Sequence, residues 1–145
     1  MNKNFDINIV VLNKNAKLPQ KQHDSDIGYD IYSLNEYEIK PNLITLVSTG
    51  LSIELPHGVG GFILPRSGLA SKHSITSINS PGLIDPGYTG EIKVPLINHG
   101  KNTYNLKEFE RFAQLVIINV ESVNFKIVEK LKESERSNKG FGSTG

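Results

Sequence analysis

Three short polar segments combine glycine with a group able to hold phosphate or to activate water. They are Pro65–Ala70 (PRSGLA), Gly82–Gly90 (GLIDPGYTG) and Arg136–Gly145 (RSNKGFGSTG). Glycine lets backbone N–H groups approach an anionic ligand closely, and neighbouring hydroxyl or guanidinium groups add donors. Arg66-Ser67-Gly68 follows an apolar run and can open a short helix, whose free N–H groups favour phosphate oxygens. The competing use is a Ser67 N-cap beside a surface Arg66. Asp85, between Ile84 and the Pro86-Gly87 turn, is a carboxylate suited to taking a proton from water. Asp-Pro-Gly more commonly serves as a turn that bonds its own backbone. Three such segments on one small chain point to a phosphate-bearing ligand.

Two further polar residues stand among apolar ones. Asp30, in Asp26–Ile31, alternates with Tyr29 and Ile31 as an inward carboxylate on a strand would. Such a group pairs with an arginine or orients water on a magnesium ion. Gln114 enters the apolar run Leu115–Val120 and requires a partner, either a ligand or backbone. Tyr88 offers a flat face to a sugar or base, or packs in the core. The terminus Gly140–Gly145 lacks the Lys-[Ser/Thr] of a Walker A loop, and Gly58–Gly61 lacks the dinucleotide spacing, so both nucleotide-fold motifs fail.

The elements that must position these groups read as strands. Apolar, β-branched runs occur at Ile7–Val11, Leu43–Ser48, Leu51–Glu54, Gly61–Leu64, Ile92–Ile97, Leu115–Val120 and Phe125–Val128. Thr49-Gly50 is expected as a turn between two of them. Breakers recur at Pro41-Asn42, Pro56–Gly58, Pro81-Gly82, Pro86-Gly87 and His99-Gly100. Many short strands without a long 3.6-period segment predict an all-β sandwich or barrel, with one helical turn at Ser67–Lys72. Near Lys130 the chain becomes charged and then glycine-rich. That division sets a β domain over 1–130 against a C-terminal arm over 131–145. Composition alone reads the arm as disordered, although Arg136 and Phe141 are unusual in a pure solubility tail.

Composition narrows the classes. The chain has 145 residues, enough for one domain with a real core. Sixteen Lys and Arg against 15 Asp and Glu leave a net charge of +1, without the basic excess of a nucleic-acid binder. No cysteine is present, which excludes disulfides, thiolate chemistry and Cys-based zinc sites. His23, His57, His73 and His99 show no ligand spacing. No apolar run reaches the roughly 18 residues of a membrane span, and Met1–Phe5 does not begin a secretory signal. A soluble, cytoplasmic protein is the expectation.

Taken in order, these segments resemble the five motifs of the trimeric dUTPase family. Gly28–Ile31 resembles the first, Pro65–Ala70 the second, Gly82–Gly90 the third, Glu110–Leu115 the fourth and Arg136–Gly145 the fifth. The resemblance spans nearly the whole chain. It implies a jelly-roll-like β-barrel, a homotrimer with each site built from several subunits, and a mobile arm closing over a neighbour's pocket.

The resemblance also implies hydrolysis of dUTP to dUMP and pyrophosphate. Asp85 would activate water for attack at the α-phosphorus. Ser67, with the backbone of Arg66 and Gly68, would bond the phosphate chain, and Gln114 would contact the same region. Magnesium would be held by the phosphates, with Asp30 reaching it through water. Arg136, Ser143 and Thr144 would grip the γ-phosphate, Phe141 would stack on uracil, and Gly142 would belong to the same substrate-binding arm. The hairpin from Asn79 to Lys93, including Leu83 and Ile84, would read the uracil edge, and Tyr88 would exclude a 2′-hydroxyl. No direct nucleic-acid or membrane partner is implied.

Three departures stand out. Ser137 and Lys139 replace arm residues that are more often glycine, and Phe109 stands where the family commonly carries glycine. Pro86-Gly87 is the form typical of dCTP deaminases, relatives with the same fold. Those enzymes place a catalytic Glu ten residues after the Asp, where this chain has Pro95. A non-catalytic dUTP-binding regulator is the remaining alternative, against which Asp85, Arg136 and Phe141 count.

Overall fold

The structure is a computed structural model that describes residues 6–134. Its regular structure is ten strands and one short helix, in keeping with the β-branched, turn-punctuated sequence. One four-stranded antiparallel sheet runs in the order β1 (Asn8–Val11), β4 (Ile44–Glu54), β8 (Glu91–Asn98), β6 (Ile75–Ser77). A second runs β2 (Tyr29–Tyr32), β10 (Arg111–Asn119), β5 (Val59–Pro65), β7 (Gly82–Ile84). A two-stranded ribbon, β3 (Tyr37–Ile39) with β9 (Tyr104–Leu106), completes the jelly-roll-like barrel. No helix of the described residues is long and apolar enough to cross a membrane.

The core lies between the sheets. On β8, Ile92, Val94 and Leu96 alternate inward, and they meet Ile63 of β5 and Phe112 and Leu115 of β10. This period-2 pattern fixes which face of each strand turns away from water. The single helix, α1 (Ser67–His73), anchors itself through buried Leu69. Ser74 then adopts a left-handed conformation, and its N–H closes the helix onto the Ala70 carbonyl.

Two sequence expectations are corrected. Thr49-Gly50 is not a turn: β4 runs unbroken from Ile44 to Glu54. Between the pairs Ser48–Lys93 and Ser52–Glu91, β4 advances four residues while β8 advances two, so the surplus forms a bulge. Gly50 absorbs it at φ 70°, and a β-carbon there would stand 3.0 Å from that of Ala16. The bulge lets one strand pair with β8 along its first half and with β1 along its second.

Phe125–Val128 is not a strand either. Phe125 is 97% and Ile127 99% exposed, because no described edge of the same chain pairs with the segment. The three-residue strands β3, β6, β7 and β9 escaped prediction, being too short to show a period. The expected helical turn is present and one residue longer than anticipated.

Candidate functional site

The β7–β8 hairpin holds the carboxylate singled out in the sequence. β7 pairs with β5 over Gly82–Ile84, and the chain then turns at Asp85–Tyr88, where the Tyr88 N–H donates to the Asp85 carbonyl at 3.1 Å. The turn reading of Asp-Pro-Gly is therefore met by the backbone. The Asp85 side chain is exposed and takes no donor from the described residues. Its carboxylate is left to solvent or to a ligand.

Asp85 opens onto a cavity of about 180 Å3 whose walls include Asn79, Leu83, Ile84, Tyr88 and Lys93. These are the hairpin residues expected to surround a base and sugar. Two glycines shape the walls. A β-carbon on Gly82 would meet the Asn79 amide at 3.3 Å, and one on Gly90 would lie 2.7 Å from the Tyr88 hydroxyl. Tyr88 is held by that hydroxyl, which donates to the Glu91 carbonyl at 2.9 Å, leaving the ring half exposed. Pro95 lines the same cavity and has no proton to give.

A second cavity, of about 530 Å3, brings together Gly28, Asp30, Arg66, Ser67, Gly68 and Gln114. Strand pairing explains the convergence, since Gln114 of β10 is paired with Asp30 of β2 on one side and Leu64 of β5 on the other. Ser67 begins α1, but Arg66 is the N-cap and no side chain caps the helix, so the Ser N-cap reading fails. The Ser67 hydroxyl is thus not consumed by capping. Gly68 adds open space at the helix start.

Asp30 is nearly buried and lies between two guanidinium groups. Arg66 Nε stands 3.2 Å from one carboxylate oxygen and Arg111 Nη1 3.1 Å from the other. Arg66 also donates from Nη1 to the Arg111 carbonyl at 3.1 Å. The arginine pairing anticipated for an inward Asp is present, and its second arginine, Arg111, went unremarked in the sequence. Gln114 Nε2 donates to the Pro65 carbonyl at 3.1 Å, which ties β10 to the residue just before Arg66-Ser67.

The two cavities share no lining residue. Asn79, Leu83, Ile84, Asp85, Tyr88 and Lys93 form one group, and Asp30, Arg66, Ser67, Gly68 and Gln114 form the other. Arg136, Phe141, Gly142, Ser143 and Thr144 lie outside the described residues. Among the described residues no group of three or more His, Asp and Glu is placed to hold a metal. Asp30, with both oxygens paired, suits an ion only through water.

In the turn before β10, Phe109 takes φ 60°, the left-handed region that glycine enters freely. Its N–H donates to the Ser33 carbonyl at 2.8 Å, and Lys17 Nζ lies 4.9 Å from its ring centre. The glycine expected at this turn is thus matched by the backbone conformation. Glu110 closes the same turn: its carboxylate accepts from the Lys107 N–H at 3.0 Å and from the Tyr104 hydroxyl. Burial first, and then the Glu110 hydrogen bond and charge, push the Tyr104 phenol up to about 12.

Comparison with known proteins gives a uniform result. A family model described as dUTPase matches residues 14–145. The deoxyuridine 5'-triphosphate nucleotidohydrolase of Alkaliphilus metalliredigens is 48% identical over 141 residues, 97% of this chain and 98% of that protein. The enzyme of the same name from Clostridioides difficile is 43% identical over 97% of this chain and 99% of its own length. Among solved structures, a mutant dUTPase of Staphylococcus bacteriophage 80alpha with dUpNHpp superposes with TM-score 0.90 at 28% identity, covering 97% of this chain and 98% of that one. A mutant dUTPase from phage phi11 of S. aureus, described with a structural Mg(II) ion, gives TM-score 0.82 at 25% identity over 89% and 100%.

Proposed function

The chain belongs to the dUTPase family, and from that premise we propose that its two cavities are the nucleoside half and the phosphate half of a dUTP-hydrolysing site. The observation that carries the reading is Asp85, a carboxylate without a protein donor at the mouth of the first cavity. It takes a proton from a water that attacks the α-phosphorus. The bond from that phosphorus to the bridging oxygen breaks, pyrophosphate leaves, and dUMP remains. The reaction removes dUTP as a source of uracil in DNA and supplies dUMP for thymidylate synthesis.

The first cavity accepts uracil between Asn79, Leu83 and Ile84, where hairpin backbone reads its edge. Tyr88, fixed by its bond to Glu91, lies beneath the sugar and leaves no room for a 2′-hydroxyl. Lys93, paired with Glu91 at 3.3 Å, lines the same wall. In the second cavity the Ser67 hydroxyl and the N–H groups around Arg66 and Gly68 bind the phosphate chain, and Gln114 contacts it beside them. The Arg66–Asp30–Arg111 cluster holds these groups in place. Positioning and charge neutralisation are the main resources of phosphoryl chemistry. Magnesium, when bound with the substrate, would offset phosphate charge, and Asp30 is the residue that would help hold it, through water.

Since the halves share no lining residue, a homotrimer that joins one subunit's hairpin to another's phosphate cavity completes the site. Two apolar surfaces support self-association. Ile44 and Leu46 are more than half exposed on β4, beside half-buried Pro95 and Ile97 on β8, where an outward sheet face is ordinarily polar. The segment carrying Val123, Phe125 and Ile127 finds no partner among the described residues of its own chain. Residues 131–145 act as an arm over a neighbour's pocket, through Arg136, Ser143 and Thr144 on the γ-phosphate and Phe141 on the base, with Gly142 in the same substrate-binding arm. The enzyme works in the cytoplasm.

The test is product analysis with magnesium and dUTP, dCTP, dTTP and UTP, resolving base and phosphate count. Conversion of dUTP alone to dUMP and pyrophosphate is expected. Deamination of dCTP would reinstate the deaminase alternative, and binding of dUTP without turnover the regulatory one.

A further inference from the structure

The bulge in β4 does more than let the strand change partners. Three hydrogen bonds run from it to the stretch of hairpin immediately after Tyr88. Ser52 Oγ donates to the Thr89 carbonyl at 2.6 Å, and Thr49 Oγ1 donates to the Ile92 carbonyl at 2.7 Å. The Glu91 carboxylate accepts from the Gly50 N–H at 2.9 Å, and its other oxygen lies 3.3 Å from Lys93 Nζ. Thr49 Oγ1 in turn accepts from the Leu51 N–H at 3.2 Å. Ser52 and Thr49 are buried, so neither hydroxyl has water as a substitute partner.

The segment so held is the one that sets Tyr88. The Tyr88 hydroxyl bonds the Glu91 carbonyl, between the carbonyls of Thr89 and Ile92 that β4 grips. The Tyr88 ring takes up the space beside Gly90, where a β-carbon would stand 2.8 Å from its Cζ, so the ring is packed against the backbone that β4 holds. An ordinary antiparallel register would offer these carbonyls no side-chain donors. The bulge turns Thr49 and Ser52 towards the hairpin, and Gly50 supplies the conformation that makes this possible.

We infer that Ser52 and Thr49 are positioning residues for sugar discrimination, bracing residues 89–92 so that Tyr88 stays at the depth that admits deoxyribose and rejects ribose. The inference rests on the reading of the first cavity as the nucleoside pocket. Neither residue touches the cavity; each acts through the backbone behind it.

The test compares wild type, Ser52→Ala and the near-isosteric Thr49→Val by two readouts on the full chain. Amide hydrogen exchange without nucleotide reports the brace. Steady-state kinetics with dUTP and UTP report its consequence. In both variants, exchange at 89–92 is expected to accelerate about fivefold, the weight of one net hydrogen bond, with the rest of the barrel unchanged. KM for dUTP should rise about as much while kcat falls less, and the preference for dUTP over UTP should narrow. Exchange that is unchanged at 89–92, or faster throughout the barrel, overturns the brace. Local acceleration with an unaltered dUTP to UTP preference overturns the positioning role. A wild-type enzyme indifferent to the 2′-hydroxyl overturns the nucleoside reading instead, and the exchange data, taken without ligand, separate that failure from failure of the brace.

Discussion

Gly28, just before β2, lies against the side chain of Gln114 on β10 so closely that a β-carbon there would stand 2.6 Å from Gln114 Oε1 and 3.3 Å from Cδ. The amide of Gln114 can reach the Pro65 carbonyl only because position 28 carries no side chain. Gly28→Ala should therefore fold, since the obstructed atoms belong to a flexible side chain, with a stability loss of about 1 kcal/mol or less. The turned amide should nonetheless lower kcat/KM for dUTP about tenfold, an effect near that of Gln114→Ala. Paired urea denaturation and kinetics would check the split.

Asp85→Asn keeps size and hydrogen-bonding capacity but cannot accept the proton from water. Turnover of dUTP should fall by about 10²- to 10⁴-fold, the usual weight of a general base. Affinity for a non-hydrolysable dUTP analogue, measured by calorimetry, should change little. Turnover within a factor of about three of wild type would remove Asp85 from the role.

Phe109 permits a comparison that isolates backbone conformation. Phe109→Ala and Phe109→Gly both lose the ring and its contact with Lys17, so they differ only in tolerance of φ 60°. Glycine should be the more stable of the two by about 1 kcal/mol, the reverse of the usual order. Thermal denaturation of the pair reads the difference directly.

Tyr104 supplies a pH dependence. Its phenol is pushed from an ordinary 10.0 up to about 12 in the folded chain, first by burial and then by Glu110, so folding favours the protonated form. That contribution is fully present below about pH 10 and is lost as pH rises through about 12. Urea midpoints recorded across this alkaline window should fall more steeply for wild type than for Tyr104→Phe. At neutral pH the variant should be the less stable one, having lost the bond to Glu110.

Legibility followed the range of each interaction. Asp85, Ser67, Gln114 and Asp30 stood out because a polar group beside glycine, or inside an apolar run, has few structural uses. Their grouping into two cavities came from pairing across β2, β10 and β5, which joins residues more than 80 positions apart and leaves no local trace. Thr49-Gly50 looked like a turn since the same dipeptide supplies a positive φ to a turn or to a bulge. Only the pairing of β4 with two successive partners separates the cases. Phe125–Val128 has the composition of a strand but no described edge of its own chain to join. Arg111, Glu91 and Ser52 carried no signal, being ordinary polar residues on strands whose partners were not yet known.

The disjoint linings have a consequence for assembly. In the homotrimer proposed above, with the base in one subunit's hairpin and the phosphates in another's cavity, dUTP would be a bivalent ligand whose own covalent bonds would tether two copies of the chain. Whatever free energy it gained by spanning both halves would be withheld from a lone subunit, so by linkage the same amount would tighten the oligomer. Subunit dissociation on dilution should accordingly shift to lower protein concentration when a non-hydrolysable nucleotide is present. On that reading the substrate would also be a glue, and pyrophosphate release would dissolve it at every turnover.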